Sequence, residues 1–166
     1  METALEQILT KSYKAGMIRF MAEHPEAFEE AMELAVIDKP PYSWRAAWLL
    51  WSCMEKNDQR VQPYVNAIID ILPNRTDNLQ RELFKILFNM ELNEACEGRL
   101  FNICLDVWER IHKQPSVRLN AFQLIIKMTR KYPELSNEIE LLTQEQYIES
   151  LSPGVKHSIS RLLRTL

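Results

Sequence analysis

Glu109 and His112 stand three residues apart, the spacing by which one helix supplies half of a carboxylate-bridged di-iron site. A whole site needs a second such pair and two further core glutamates. The other histidines, His24 and His157, have no glutamate at that spacing, so Glu109 and His112 are read as a solvent-facing ion pair near a helix end. The three cysteines, Cys53, Cys96 and Cys104, form no CxxC pair and adjoin no histidine. They are expected to be buried, reduced thiols among apolar residues. Neither a GxSxG elbow nor a Ser-x-x-Lys setting occurs, so no activated nucleophile is visible. The expectation is a chain without catalytic residues, metal or cofactor.

Trp44, Trp48 and Trp51 fall at i, i+4 and i+7 on one helical face. Such a face can form an aromatic cage or a base-stacking platform. Large aromatics at helical spacing are more often packing residues, and the stripe is read as core, with Trp44, first on its helix, the most exposed of the three. The net charge is −3, which draws the molecule as a whole to neither nucleic acid nor anionic membrane. Residues 1–83 hold 9 Lys/Arg against 13 Asp/Glu, and residues 84–166 hold 11 against 10. The most local imbalances are the acidic stretch Glu23, Glu26, Glu29, Glu30, Glu33 and the basic group Lys127, Arg130, Lys131, both read as solvated helix faces.

The elements that carry these residues are helices. Leu79, Leu83, Ile86, Leu87 and Met90 recur at helical spacing, as do Leu100, Ile103, Cys104, Val107, Trp108 and Ile111, and again Val117, Ala121, Leu124, Ile125 and Met128. No run alternates as a strand would. With only three glycines, hairpins and phosphate-cradling loops are disfavoured. Pro25, Pro40-Pro41, Pro73, Pro115, Pro133 and Pro153 mark the boundaries, and Asp77 is expected to cap a helix with Gln80 three residues on. Eight or nine helices follow, over residues 3–22 (broken near Gly16), 25–37, 43–56, 60–72, 77–92, 94–113, 116–132, 134–149 and 153–165. No run is long and apolar enough to span a membrane, and no basic n-region precedes an apolar run at the N-terminus, so a cytoplasmic location is expected.

Laid over one another, the helices repeat. Trp44-Arg45-Ala46-Ala47-Trp48, Gln80-Arg81-Glu82-Leu83-Phe84 and Val117-Arg118-Leu119-Asn120-Ala121 align, with arginine at 45, 81 and 118. Asp70 and Asp106, 36 residues apart, keep the same beat on the alternate helices. A period of this length with two helices per unit marks a helical solenoid, here three core pairs plus caps in one domain over residues 1–166. The segment from Val117 to Ala121 resembles the first helix of a HEAT repeat. The all-α fold this implies is a right-handed α–α superhelix of HEAT or armadillo type. The resemblance further implies that Arg45, Arg81 and Arg118 form ladders with acids such as Asp70 and Asp106. The order of HPEAFEEAMELA, SWRAAWLLW, KYPEL and SPGVKHSISRLLRTL also resembles a family of short bacterial HEAT-like proteins of Bacteroidetes type. Some of its members bear an automatic label of adenylosuccinate lyase, whose Gly/Ser-rich signature loop has no counterpart here.

The function expected is a non-catalytic module that presents the concave face of its second helices to a protein or peptide. The alternative is a nucleic-acid binder similar to the HEAT-like DNA alkylation repair proteins, with a lyase a distant third. Asp70, Asp106, Glu109, Glu138 and Glu140 fall on the helices of that face, which disfavours phosphate contacts.

Overall fold

Thr3 starts the chain's first helix with a capping box. Its hydroxyl accepts the Glu6 amide while the Glu6 carboxylate accepts the Thr3 amide at 3.0 Å, so two amides that the helix leaves without partners are satisfied reciprocally. The computed structural model describes residues 1–166, and they contain eleven α-helices and no strand. Eight or nine were expected from the sequence. The chain divides into two compact units, Met1–Glu91 and Leu92–Leu166.

The first unit holds α1 (Ala4–Lys11), α2 (Lys14–Glu23), α3 (Ala27–Val36), α4 (Tyr42–Cys53), α5 (Val65–Ile71) and α6 (Asp77–Phe88). One of the two additional helices comes from the start of the chain. The break lies at Ser12–Tyr13, and Gly16 sits inside α2. A Cβ at Gly16 would stand 3.3 Å from the Ser12 Cβ, tighter than ordinary contact, so the glycine permits the corner that folds α2 back rather than breaking the helix. α5 begins later than the sequence suggests. Asp58 accepts the amides of Glu55 and Arg60, a local turn that competes with helix, and Pro63 then opens a 3₁₀ turn over Gln62–Tyr64. Thr76, and not Asp77, occupies the cap position of α6. Gln80 is drawn away from the cap because its side-chain amide donates to the Leu72 carbonyl at 2.8 Å.

α4 packs against both α3 and α6. Ala46, Ala47, Leu49 and Leu50 are fully buried, and the two alanines let the neighbouring backbones come close while the leucines fill the space between them. Ser43 closes the turn ahead of α4: its hydroxyl accepts the Lys39 amide at 2.8 Å and donates to the Ile37 carbonyl.

The second unit holds α7 (Glu94–Glu109), α8 (Pro115–Lys131), α9 (Ser136–Leu142), α10 (Glu145–Ile148) and α11 (Pro153–Leu163). Asn93 caps α7 through the Cys96 amide at 2.8 Å, and Ser152 caps α11. α8 is the core element, packed against α7 and α11, with Val117, Ala121, Phe122, Leu124, Ile125 and Ile126 buried. The single helix expected over residues 134–149 is two. The Thr143 hydroxyl turns back to the Ile139 carbonyl at 2.8 Å, and Gln144 adopts an extended backbone.

Candidate functional site

The three arginines of the repeat occupy the same place on α4, α6 and α8, yet their surroundings differ. Arg118 is 1% exposed. Its Nε donates to the Trp108 carbonyl at 2.9 Å and its Nη2 to the Tyr147 carbonyl at 2.7 Å, with a longer contact to Ser150 Oγ at 3.3 Å. The guanidinium lies 4.6 Å from the Trp108 ring centroid, and Trp108 Nε1 donates to the Leu142 carbonyl at 2.8 Å. Arg118 therefore holds helix-end carbonyls in place of the acid expected from a ladder, and burial pushes its pKa down. Asp106 in turn pairs with Arg110 one turn along its own helix at 3.1 Å. The expected ladder fails at these positions because the carbonyls left open at the ends of α7 and α10 lie within reach of Arg118.

Arg45 and Arg81 face a cavity of about 500 Å³ in the first unit. α4 supplies Trp44, Arg45 and Trp48; α6 supplies Arg81, Glu82 and Lys85; Lys14 reaches it from the start of α2, and Leu9 and Met17 add apolar wall. The tryptophan stripe is thus not core. Trp44, Trp48 and Trp51 are all half-buried. The physical reason is the packing of α4 between two helices, which needs small residues on the buried side and turns the indoles onto the flank. Trp48 and Trp51 meet edge to face at 6.0 Å between ring centroids.

Each of the four cations stands over an indole, pairs with the one acid of the lining, or does both. Lys14 Nζ stands 5.1 Å from the Trp48 ring centroid and Lys85 Nζ 4.5 Å from that of Trp51. The Arg45 guanidinium stands 5.3 Å from the Trp44 ring centroid. Glu82, 2% exposed, accepts from the Trp51 indole N–H and from Arg81 Nε at 3.0 Å, with Lys85 Nζ at 3.8 Å. Lys14 and Arg45 have no carboxylate partner. Four cations thus face one carboxylate inside a unit that, over residues 1–91, holds 10 Lys/Arg against 14 Asp/Glu. Cations placed over indoles are held without losing their charge, so the arrangement can grip an anion beside an apolar surface. Of the charged lining residues, Lys14, Glu82 and Lys85 are not singled out by the sequence. The available signal was Arg81 and Lys85 one turn apart on a helix repeating the one that carries Trp44-Arg45.

A smaller cavity of about 200 Å³ lies in the second unit, lined by Phe101, Met128 and Tyr132 with Glu94, Glu97 and Glu134. Glu97 accepts from Lys131 Nζ at 2.8 Å and from the Tyr132 hydroxyl at 2.9 Å. The hydrogen bond to Glu97 raises the pKa of both partners. Of the basic group, Lys131 is thereby paired and Arg130 donates to the Thr165 hydroxyl.

Glu109 and His112 are both exposed and form no ion pair, because α7 ends at Glu109 and His112 lies beyond the helical spacing. Cys96 and Cys104 are buried as expected, but Cys53, at the last residue of α4, is half-buried. Burial pushes both the Cys53 and the Cys104 thiol up, away from the reactive thiolate. Asp70, Asp106, Glu109, Glu138 and Glu140 are exposed, and none of them lines the large cavity of the first unit. No helix is long and apolar enough to cross a membrane.

No curated protein and no solved structure matches the chain. A family model, that of the HEAT repeat domain, matches residues 1–166. The helical pairs, the arginine register on α4, α6 and α8 and this match over the whole length agree: the chain belongs to the HEAT repeat domain family.

Proposed function

We propose that the chain is a non-catalytic interaction or scaffold module, one HEAT domain with right-handed α–α winding that docks a protein or peptide segment. The observation that carries this reading is the pair of half-buried indoles, Trp44 and Trp48, that line a cavity of about 500 Å³. Aromatic side chains with one face wet are the anchors that interfaces use most. The lining supports binding over turnover: it offers no histidine or cysteine, and its one carboxylate, Glu82, is already held by Trp51 and Arg81. The docking face in this reading is that of α4 and α6, not the alternate helices.

The test compares affinity capture by the wild-type chain and by the Trp44→Ala/Trp48→Ala double variant, using a native extract and mass spectrometry. A partner retained by the wild type and lost by the variant supports the module. Turnover of a substrate by the purified chain, abolished by Glu82→Gln with the fold intact, refutes it.

A further inference from the structure

We infer that the large cavity of the first unit is an acidic-peptide site, in which Asp or Glu side chains of the partner sit between Lys14 and Arg45 while an apolar side chain rests on the indoles. The inference rests on the module reading and gives its partner a chemistry. Three observations carry it. The lining holds four cations against one carboxylate, and that carboxylate is buried and occupied. Lys14 and Arg45 stand over Trp48 and Trp44 at 5.1 and 5.3 Å with no acid of the chain beside them. The surrounding unit is itself acidic, so the cations are a local reversal of sign and not part of a generally basic surface.

Charge complementarity therefore selects an anionic partner, and the indoles select one with apolar side chains among its acids. A carboxylate between Lys14 and Arg45 gains from both, whereas a cation there would face repulsion from both. Glu82 has a positioning role: it fixes Arg81, Lys85 and Trp51 behind the site, so the back wall is formed before a partner arrives.

The experiment uses a fluorescein-labelled peptide of acidic residues flanking a phenylalanine, its counterpart with every acid replaced by Gln or Asn, and the full chain. Anisotropy titration in about 0.1 M salt should give saturable binding of the acidic peptide and about tenfold or weaker binding of the neutral one. Raising salt to about 1 M shortens the screening length from about 10 to about 3 Å and should weaken the acidic complex alone. Lys14→Glu, at an exposed position where folding is not at stake, and Arg45→Glu should each weaken binding about tenfold. Lys156→Glu, exposed on α11, should leave it unchanged.

Equal affinity for the neutral peptide, no binding of the acidic one, or indifference to both Lys14→Glu and Arg45→Glu overturns the inference. So does exclusive binding of a phosphorylated version, or displacement of the peptide by a single-stranded oligonucleotide at lower concentration. These failures leave the module reading standing while Trp44 and Trp48 still govern capture of a protein; loss of that capture removes both.

Discussion

Replacing Arg118 with methionine removes a buried cation that has no carboxylate beside it, and the structure fixes what should follow. Two hydrogen bonds of 2.9 and 2.7 Å disappear, with a weaker one at 3.3 Å. Bonds from a charged donor contribute about 1.5–3 kcal/mol each, and a buried carbonyl left without a donor costs about 1–3 kcal/mol. Against this stands the desolvation of the guanidinium, visible in its lowered pKa, which the variant no longer bears. Methionine also restores apolar contact with Trp108. The net destabilisation should be about 3 kcal/mol, equivalent to a fall of about 6–12 °C in melting temperature for a chain of this size. Urea unfolding followed by far-UV circular dichroism measures it. Arg118→Lys, whose single ammonium cannot span acceptors on α7 and α10 together, should recover less than half of the loss. If Arg118→Met unfolds within about 1 kcal/mol of the wild type, the carbonyl anchor is not what holds α10.

Asp58 is held down at about 2, first by its hydrogen bonds with the Arg60 side chain. Because the folded value lies below the ordinary 3.8, its stabilisation is complete above about pH 4 and is lost as pH falls through about 2. Discounted for the half-exposed Arg60, the contribution is on the order of 1–2 kcal/mol. Asp58→Asn should therefore lower stability near neutrality and show a smaller drop than the wild type between about pH 4 and 2 in acid titration of the circular dichroism signal; parallel curves would refute this. Glu82→Gln should cost about 2 kcal/mol by thermal melting, since a buried acceptor for Trp51, Arg81 and Lys85 loses its charge, and a neutral result would mean that the cluster is solvated. Ala47→Leu, at a position with no exposure, should destabilise by about 1–3 kcal/mol because α4 has no room for the added carbons; an unchanged urea midpoint would contradict the close approach of its neighbours.

The helical composition of the chain and the breaks at Pro40-Pro41, Pro115 and Pro153 were legible because proline, Ser caps and apolar periodicity act locally. The arginine register was legible as well, but its meaning was not. Arg118 and Arg81 occupy equivalent helix positions, and only the chain folded around each decides whether it meets carbonyl oxygens or a carboxylate. The tryptophans were misplaced for a similar reason. α4 carries two candidate stripes, one of indoles and one of Ala46, Ala47 and Leu50. Apolar area favours the first, whereas close packing between two helices favours the second. The cavity was invisible because its walls come from α1, α2, α4 and α6, which no spacing within one helix connects. The division of residues 134–149 lies at Gln144, whose extended backbone no proline, glycine or change of apolar period announces.

The burial of Trp108 also has an optical consequence. Of the four tryptophans, Trp44, Trp48 and Trp51 belong to the first unit and are partly exposed, while Trp108, alone in the second, is fully buried. Trp108 should therefore emit to the blue of the three indoles of the first unit, as the difference between the wild-type and Trp108→Phe emission spectra would show. A Trp108→Phe chain reports only the first unit's unfolding, and a chain lacking the other three reports only the second's, so the cooperativity of the two units can be timed without any label.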